Sequence, residues 1–225
     1  MSNTAKLERL TVVFLGSFNP AIFQPAWFAG HDLISSDEKK VPSGVKLGIV
    51  HPEVVDFSTE NFQIQVVQKR LSVATTDVSF YDSLRDMLSG TFTVLGHTPI
   101  VKMGINREFH FQMPNEDEWN AVGDRLAPKD DWKRVLDDPG MKSMIIQGER
   151  TDGRLGFVRV RVETSNQVQP NGIFVEVNDH YAIADPEKVQ GARELVDIML
   201  DVWSESLRKA RHIAQTVVFG TEEMS

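Results

Sequence analysis

An α+β fold, with an antiparallel sheet and two longer helices packed on one of its faces, follows from three observations. Short segments alternate apolar and polar residues, one long amphipathic helix lies near the C-terminus, and a strand, helix, three strands, helix order occurs twice. The 225-residue chain is long enough to bury a real core. Residues 1–225 are expected to form one domain of two half-repeats, about 8–92 and about 99–215.

Taken in order, Thr11 to Phe18 is apolar and β-branched and reads as the first strand. Lys6 and Arg9 ahead of it superficially suggest a secretory signal, but Glu8 is acidic and Asn19-Pro20 breaks the segment without a small-residue cleavage site. Pro20 to Gly30 reads as a short helix carrying Ile22, Phe23, Trp27 and Phe28, whose aromatic residues are expected in the core. The run Ser35 to Lys40, closed by Pro42-Ser43-Gly44, has no apolar period and reads as a solvated connection. Val45 to Val50, Val54 to Ser58 and Phe62 to Ala74 are three half-buried strands. Thr76 or Asp77 then caps a helix that places Phe80, Leu84, Met87 and Leu88 on one face.

The second half begins with a strand from Ile100 to Met113, a helix from Asn115 to Leu126, and an irregular stretch through Trp132 to Gly140. Strands follow at Ser143 to Glu149, Phe157 to Thr164 and Ile173 to Ala184. Asp185-Pro186 supplies a cap and first turn, and Val189, Leu195, Val196, Met199, Leu200, Trp203, Leu207 and Ile213 form the apolar stripe of the last helix. That stripe packs the sheet and could add a dimer seam.

Residues also match between the halves. Leu71-Ser72-Val73-Ala74 corresponds to Tyr181-Ala182-Ile183-Ala184, and Leu84 to Leu88 corresponds to Val196 to Leu200. Trp27, with Gly30, Asp32 and Leu33 after it, corresponds to Trp119 with Gly123, Asp124 and Leu126. The element order is similar to a duplicated TATA-binding-protein-like or helix-grip architecture, a likeness of order that carries no residue motif and no function. The stretch Arg70 to Ser83, with His97-Thr98-Pro99-Ile100 and Gly104-Ile105-Asn106, resembles a sporadically distributed family of uncharacterised bacterial proteins. That resemblance spans roughly the middle half of the chain, implies a single-domain bacterial protein, and brings no chemistry with it.

Composition removes several function classes. With no cysteine there are no disulfides, thiolate zinc sites or cysteine nucleophiles. No apolar run reaches the roughly 18 to 20 residues of a membrane helix. A net charge of −8 disfavours nucleic acid as a partner, since sequence-independent binding needs a basic footprint. A cytoplasmic protein without a cofactor is expected. Phosphate-loop, dinucleotide, Gly-x-Ser-x-Gly and His-Glu-x-x-His patterns are absent, and no two of the six histidines have helical metal-ligand spacing.

What remains is a polar sheet face. Alternation puts Met103, Ile105, Phe109, Phe111 and Met113 on one side of their strand, interrupted by Arg107, with Asn106, Glu108, His110 and Gln112 on the other. Val158, Val160 and Val162 likewise oppose Arg159, Arg161 and Glu163, while Val175 and Val177 oppose Glu176, Asn178 and His180. A turn centred near Val168 sets Arg161 across from Glu176 and Arg159 across from Asn178. Asn106, Glu108, His110, Arg159, Arg161, Glu176, Asn178 and His180 are therefore the candidate binding residues, with no catalytic or metal-ligating set assigned. The expected function is a non-enzymatic interaction or assembly subunit, using this face or its last helix to bind a protein partner or another copy of itself. The alternatives are a helix-grip ligand module with an apolar cavity lined by Phe109, Phe111, Trp119 and Trp203, and a metal-dependent hydrolase built on His110 and His180 with Glu108 and Glu176.

Overall fold

The structure, a computed structural model, describes residues 4–34, 46–189 and 191–220. In its first half, β1 (Leu7–Gly16) is followed by the short helix α1 (Pro25–Gly30), four strands and a helix. The strands are β2 (Lys46–His51), β3 (Val54–Ser58), β4 (Gln63–Val67) and β5 (Arg70–Thr75), and the helix is α2 (Tyr81–Val94). The second half holds β6 (Ile100–Gln112), α3 (Glu116–Leu126), β7 (Ser143–Glu149), β8 (Gly156–Thr164), β9 (Gly172–Ala182) and α4 (Arg193–Phe219). The connection expected at Ser35 to Gly44, and Val45 at the head of its strand, lie outside the described residues.

The nine strands of the described residues join one sheet in the order β2-β3-β4-β5-β1-β6-β9-β8-β7, and every pairing is antiparallel. The central pair is β1 with β6, the first strand of each half, and each half runs outward from it through the strand that precedes its long helix. α2 packs on β5, α4 packs on β6 and β9, and the two helices touch each other, so one face of the sheet is covered. Alternation points Leu10, Val12 and Phe14 of β1, Val73 of β5, Ile105 of β6 and Val177 of β9 into that covered side, each at most 1% exposed. Each such side chain is worth about 1.5–3 kcal/mol of burial, so this row fixes which way the sheet faces.

Three expectations are corrected. Phe62 to Ala74 is two strands, not one, because Gln68 and Lys69 turn the chain between β4 and β5, and the first half therefore has four strands after its short helix. Asp185-Pro186 opens just a single 3-10 turn over Pro186–Lys188, with no side-chain cap, and Val189 precedes α4. There the chain crosses the end of α2 closely. A Cβ on Gly191 would lie 2.3 Å from the Gly96 carbonyl oxygen, and Ala192 N–H donates to that same oxygen at 3.0 Å. Leu200 leaves the expected stripe at 42% exposure, while Met199 and Trp203 are at 0% and 1%.

Candidate functional site

The face that the described residues leave uncovered is built from rows that run across the strands. One row holds Ser58 on β3, Gln63 on β4, Ala74 on β5, Thr11 on β1, Asn106 on β6, Asn178 on β9, Arg159 on β8 and Gln147 on β7. The adjacent row holds Asp56, Gln65, Ser72, Val13, Gly104, His180, Phe157 and Glu149. Antiparallel register makes each pair direct neighbours, so a polar choice repeated at every second position yields a continuous polar surface.

Near the middle the side chains are small: Ala74, Thr11, Ser72 and Val13. Longer ones rise around them and enclose a basin of about 610 Å³, walled by Arg9, Arg70, Asp56, Gln65, Glu108 and Glu176. Gln167, in the turn between β8 and β9, reaches its edge. A second depression of about 640 Å³ adjoins it and shares Arg9, Ser58, Gln63 and Ala74. These first-half residues were missed from the sequence, although Gln63, Gln65, Arg70 and Ser72 alternate with Ile64, Val66, Leu71 and Val73 as plainly as the residues that were found.

A third row crosses the basin's edge as Arg9, Glu108, Glu176 and Arg161. Arg161 binds Glu176 at 2.8 Å and Glu163 at 3.0 Å, the register expected from the sequence. Burial raises the Glu108 carboxyl above its ordinary value and the neighbouring Glu176 adds to this, while Arg9 and Arg161 oppose it. Two facing carboxylates hold a proton more readily than one.

Of the eight candidate residues, Asn106, Glu108 and Glu176 line the basin, and Arg161 holds Glu176 from behind. Arg159 lies beyond them, donating to Gln147 Oε1 at 2.8 Å and sitting over the Phe157 ring. His180 stacks on that ring at 4.3 Å between centroids, and its Nδ1 and the Asn178 Oδ1 are buried without a hydrogen-bond partner among the described residues. Beside them Gly104 leaves a notch, where a Cβ would come 3.3 Å from Asn106 Nδ2 and 3.4 Å from Asn178 Oδ1.

His110 does not belong to the exposed surface. It is 4% exposed, packed on Phe174 at 4.9 Å, with Nδ1 2.8 Å from Ser165 Oγ. That oxygen already accepts from Gln167 N–H at 3.1 Å and Val168 N–H at 2.9 Å. Its own proton must then go to Nδ1, which makes His110 neutral with the proton on Nε2 and agrees with the downward shift that burial gives it. This serine and histidine fix a turn. Nor do His110 and His180 converge: along β6 they pair at residues 110 and 104, about 20 Å apart. Among the described residues no three His, Asp or Glu side chains lie close enough to share a metal ion.

The covered face holds two polar networks. Arg107, which interrupts the apolar side of β6, is 1% exposed, paired with Glu8, and flanked by the Tyr81 and Phe109 rings at 4.8 and 4.7 Å. Glu8 also accepts from Arg211 of α4 at 3.0 Å. Asp179, between two residues of the open face, points the other way as alternation requires, and binds Arg150, the Tyr181 hydroxyl and the Ser206 hydroxyl of α4. As for an interior ligand, Phe109 and Phe111 belong to one packed core cluster and Trp203 to another. The space beside Trp119, bounded by Val122, Met141, Val162 and Ile173, is about 90 Å³.

No family model and no curated protein matches this chain. A solved structure, DynU16 from the dynemicin biosynthetic locus, matches at 11% identity and a TM-score of 0.25, over 93% of this chain and 98% of that one. A likeness of that size carries no weight for fold or function. No helix is long and apolar enough to cross a membrane among the described residues, and the uncovered polar face with its basin is the feature from which a function must be read.

Proposed function

We propose that this chain is a non-enzymatic interaction subunit that holds a segment of a partner protein against the uncovered face of its sheet. The observation that carries the reading is the basin of about 610 Å³, floored by small side chains and walled by polar and charged ones. A face that is merely solvated has no need for small residues in register across adjacent strands, with long polar residues around them. Amides, hydroxyls and charges of both signs suit a polypeptide, whose backbone offers donors and acceptors in equal number. An interior ligand would have the roughly 90 Å³ beside Trp119, below the about 300–1,000 Å³ typical of ligand pockets. Each half runs strand, short helix, antiparallel strands and long helix, with four such strands in the first half and three in the second, and this partial match supports descent of the chain from a duplicated unit. The cysteine-free composition suits the cytoplasm.

The test is affinity capture from a lysate of the source organism, quantified by mass spectrometry, with three baits: the wild type, Gln65→Trp and Arg161→Glu. Gln65 is exposed and lines the basin, so its replacement fills the space while stability changes by about 0.5 kcal/mol or less. Arg161→Glu adds a carboxylate beside Glu163 and Glu176 and should cost about 1–2 kcal/mol. The expected result is a protein enriched by the wild type and reduced at least tenfold with both variants while melts show them folded. Identical captures with all three baits would overturn the reading.

A further inference from the structure

The two arginines of the basin narrow what it takes. Arg9 donates from Nη2 to Gln63 Oε1 at 2.7 Å and from Nε to Thr11 Oγ1 at 3.4 Å, and Arg70 donates from Nη2 to Ser72 Oγ at 3.4 Å. All three partners are neutral. Among the described residues neither guanidinium has a carboxylate within ion-pair distance, although Arg161, at the basin's edge, is paired twice. Arginine is the side chain best shaped to clamp a carboxylate with two parallel hydrogen bonds, and here two such forks line one concavity with no carboxylate bound to either, Glu108 lying in register beside Arg9 but outside contact.

Their spacing follows from the register. Gln63 pairs with Ala74 and Ala74 with Thr11, so the Arg9 guanidinium, held between Gln63 and Thr11, lies over Ala74 of β5. The Arg70 guanidinium folds back onto Ser72 of the same strand. Positions 72 and 74 are two apart, which places the two cations about 7 Å from each other along β5. Alternate side chains of an extended peptide are also spaced about 7 Å, because they follow the same strand geometry.

Resting on the interaction reading above, we propose that the occupant is an extended acidic peptide segment with carboxylates at alternate positions, one held by Arg9 and one by Arg70. The intervening side chain points away, and the peptide's amides meet Gln65 and Asn106. A continuous polyanion fits worse: Asp56, Glu108 and Glu176 line the same walls and would repel a nucleic-acid backbone, whose charges cannot be confined to two points.

Fluorescence anisotropy at low salt tests this with a labelled peptide Gly-Ser-Glu-Thr-Glu-Ser-Gly, its Gln-Thr-Gln counterpart, and a version with the two glutamates adjacent. The alternate-glutamate peptide should bind at least tenfold more tightly than either. Arg9→Gln and Arg70→Gln should each weaken it about fivefold to tenfold, whereas Arg208→Gln, an exposed α4 residue paired with Glu205, should change nothing. Equal binding of the glutamine peptide, indifference to both basin variants, or stronger competition by an oligothymidylate than by the unlabelled peptide would overturn the proposal. If capture in the previous experiment depends on Gln65 and Arg161 but the peptides fail to discriminate, the acidic occupant is refuted and the interaction reading stands.

Discussion

The Arg107 guanidinium, sealed beneath the helices, gives a prediction with opposite outcomes at its two ends. Its side chain is 2% exposed, and Glu8, its ion-pair partner, is 10% exposed. Apart from Glu8 it donates just one long bond, from Nη1 to the Leu207 carbonyl at 3.4 Å, and its Nε has no partner among the described residues. Burial pulls its pKa below the ordinary value. At an effective dielectric near 20, charges about 4 Å apart attract by about 4 kcal/mol. Glu8→Gln removes that attraction and leaves a buried cation with two aromatic faces for company, which predicts a loss of about 3–5 kcal/mol. Arg107→Met removes the cation itself. Glu8 then keeps Arg211 at 3.0 Å, and an apolar side chain fills the slot between Tyr81 and Phe109, so the loss should stay below about 1.5 kcal/mol. Urea unfolding at pH 7, with m-values compared so that midpoints report stability, measures both. A Glu8→Gln loss under about 1 kcal/mol, or an Arg107→Met loss exceeding it, would refute the claim that the pair holds a desolvated charge in place.

Three further predictions concern stability. Trp203 is 1% exposed and donates from Nε1 to Asp82 at 3.0 Å, so Trp203→Ala should cost about 3–5 kcal/mol, and a loss below about 1 kcal/mol would place it outside the core. The hydrogen bond from Arg150 holds the Asp152 carboxyl down at about 2 against an ordinary 3.8. Because the folded value is the lower one, this stabilisation is complete above about pH 4 and lost as the pH falls toward 2. It amounts to about 1 kcal/mol for a side chain one-third exposed, and Asp152→Asn should flatten that part of the stability curve. Burial lowers the pKa of both His110 and His180, so unfolded chains take up those protons first and stability should also decline as the pH drops below 6.5.

Much of the fold was legible because strands and helices impose periods of their own on the chain. Alternation identified the apolar side of β6, the opposition of Asp179 to Asn178 and His180, and the pairing of Arg161 with Glu176 through a turn near Val168. Asn115 signalled the start of α3 and accepts from Glu118 N–H at 2.8 Å. The Phe62 to Ala74 run hid a turn, because Gln68-Lys69 carries neither glycine nor proline, and the start of α4 was misplaced because a proline after aspartate marks a 3-10 turn as readily as an α-helix.

By itself the sequence determined the fold class, the apolar and polar sides of β6, β8 and β9 and the absence of cysteine chemistry, since these depend on residue type and local period. Tertiary structure alone decided that β1 and β6 would meet at the centre, that Ala74, Thr11, Ser72 and Val13 would align as a basin floor, that Arg9 and Arg70 would fold over one strand, and that His110 would be sealed under the Ser165 turn. Each of these depends on which strand lies beside which, and that order is set by the burial of the whole apolar face under α2 and α4 rather than by any segment's own pattern.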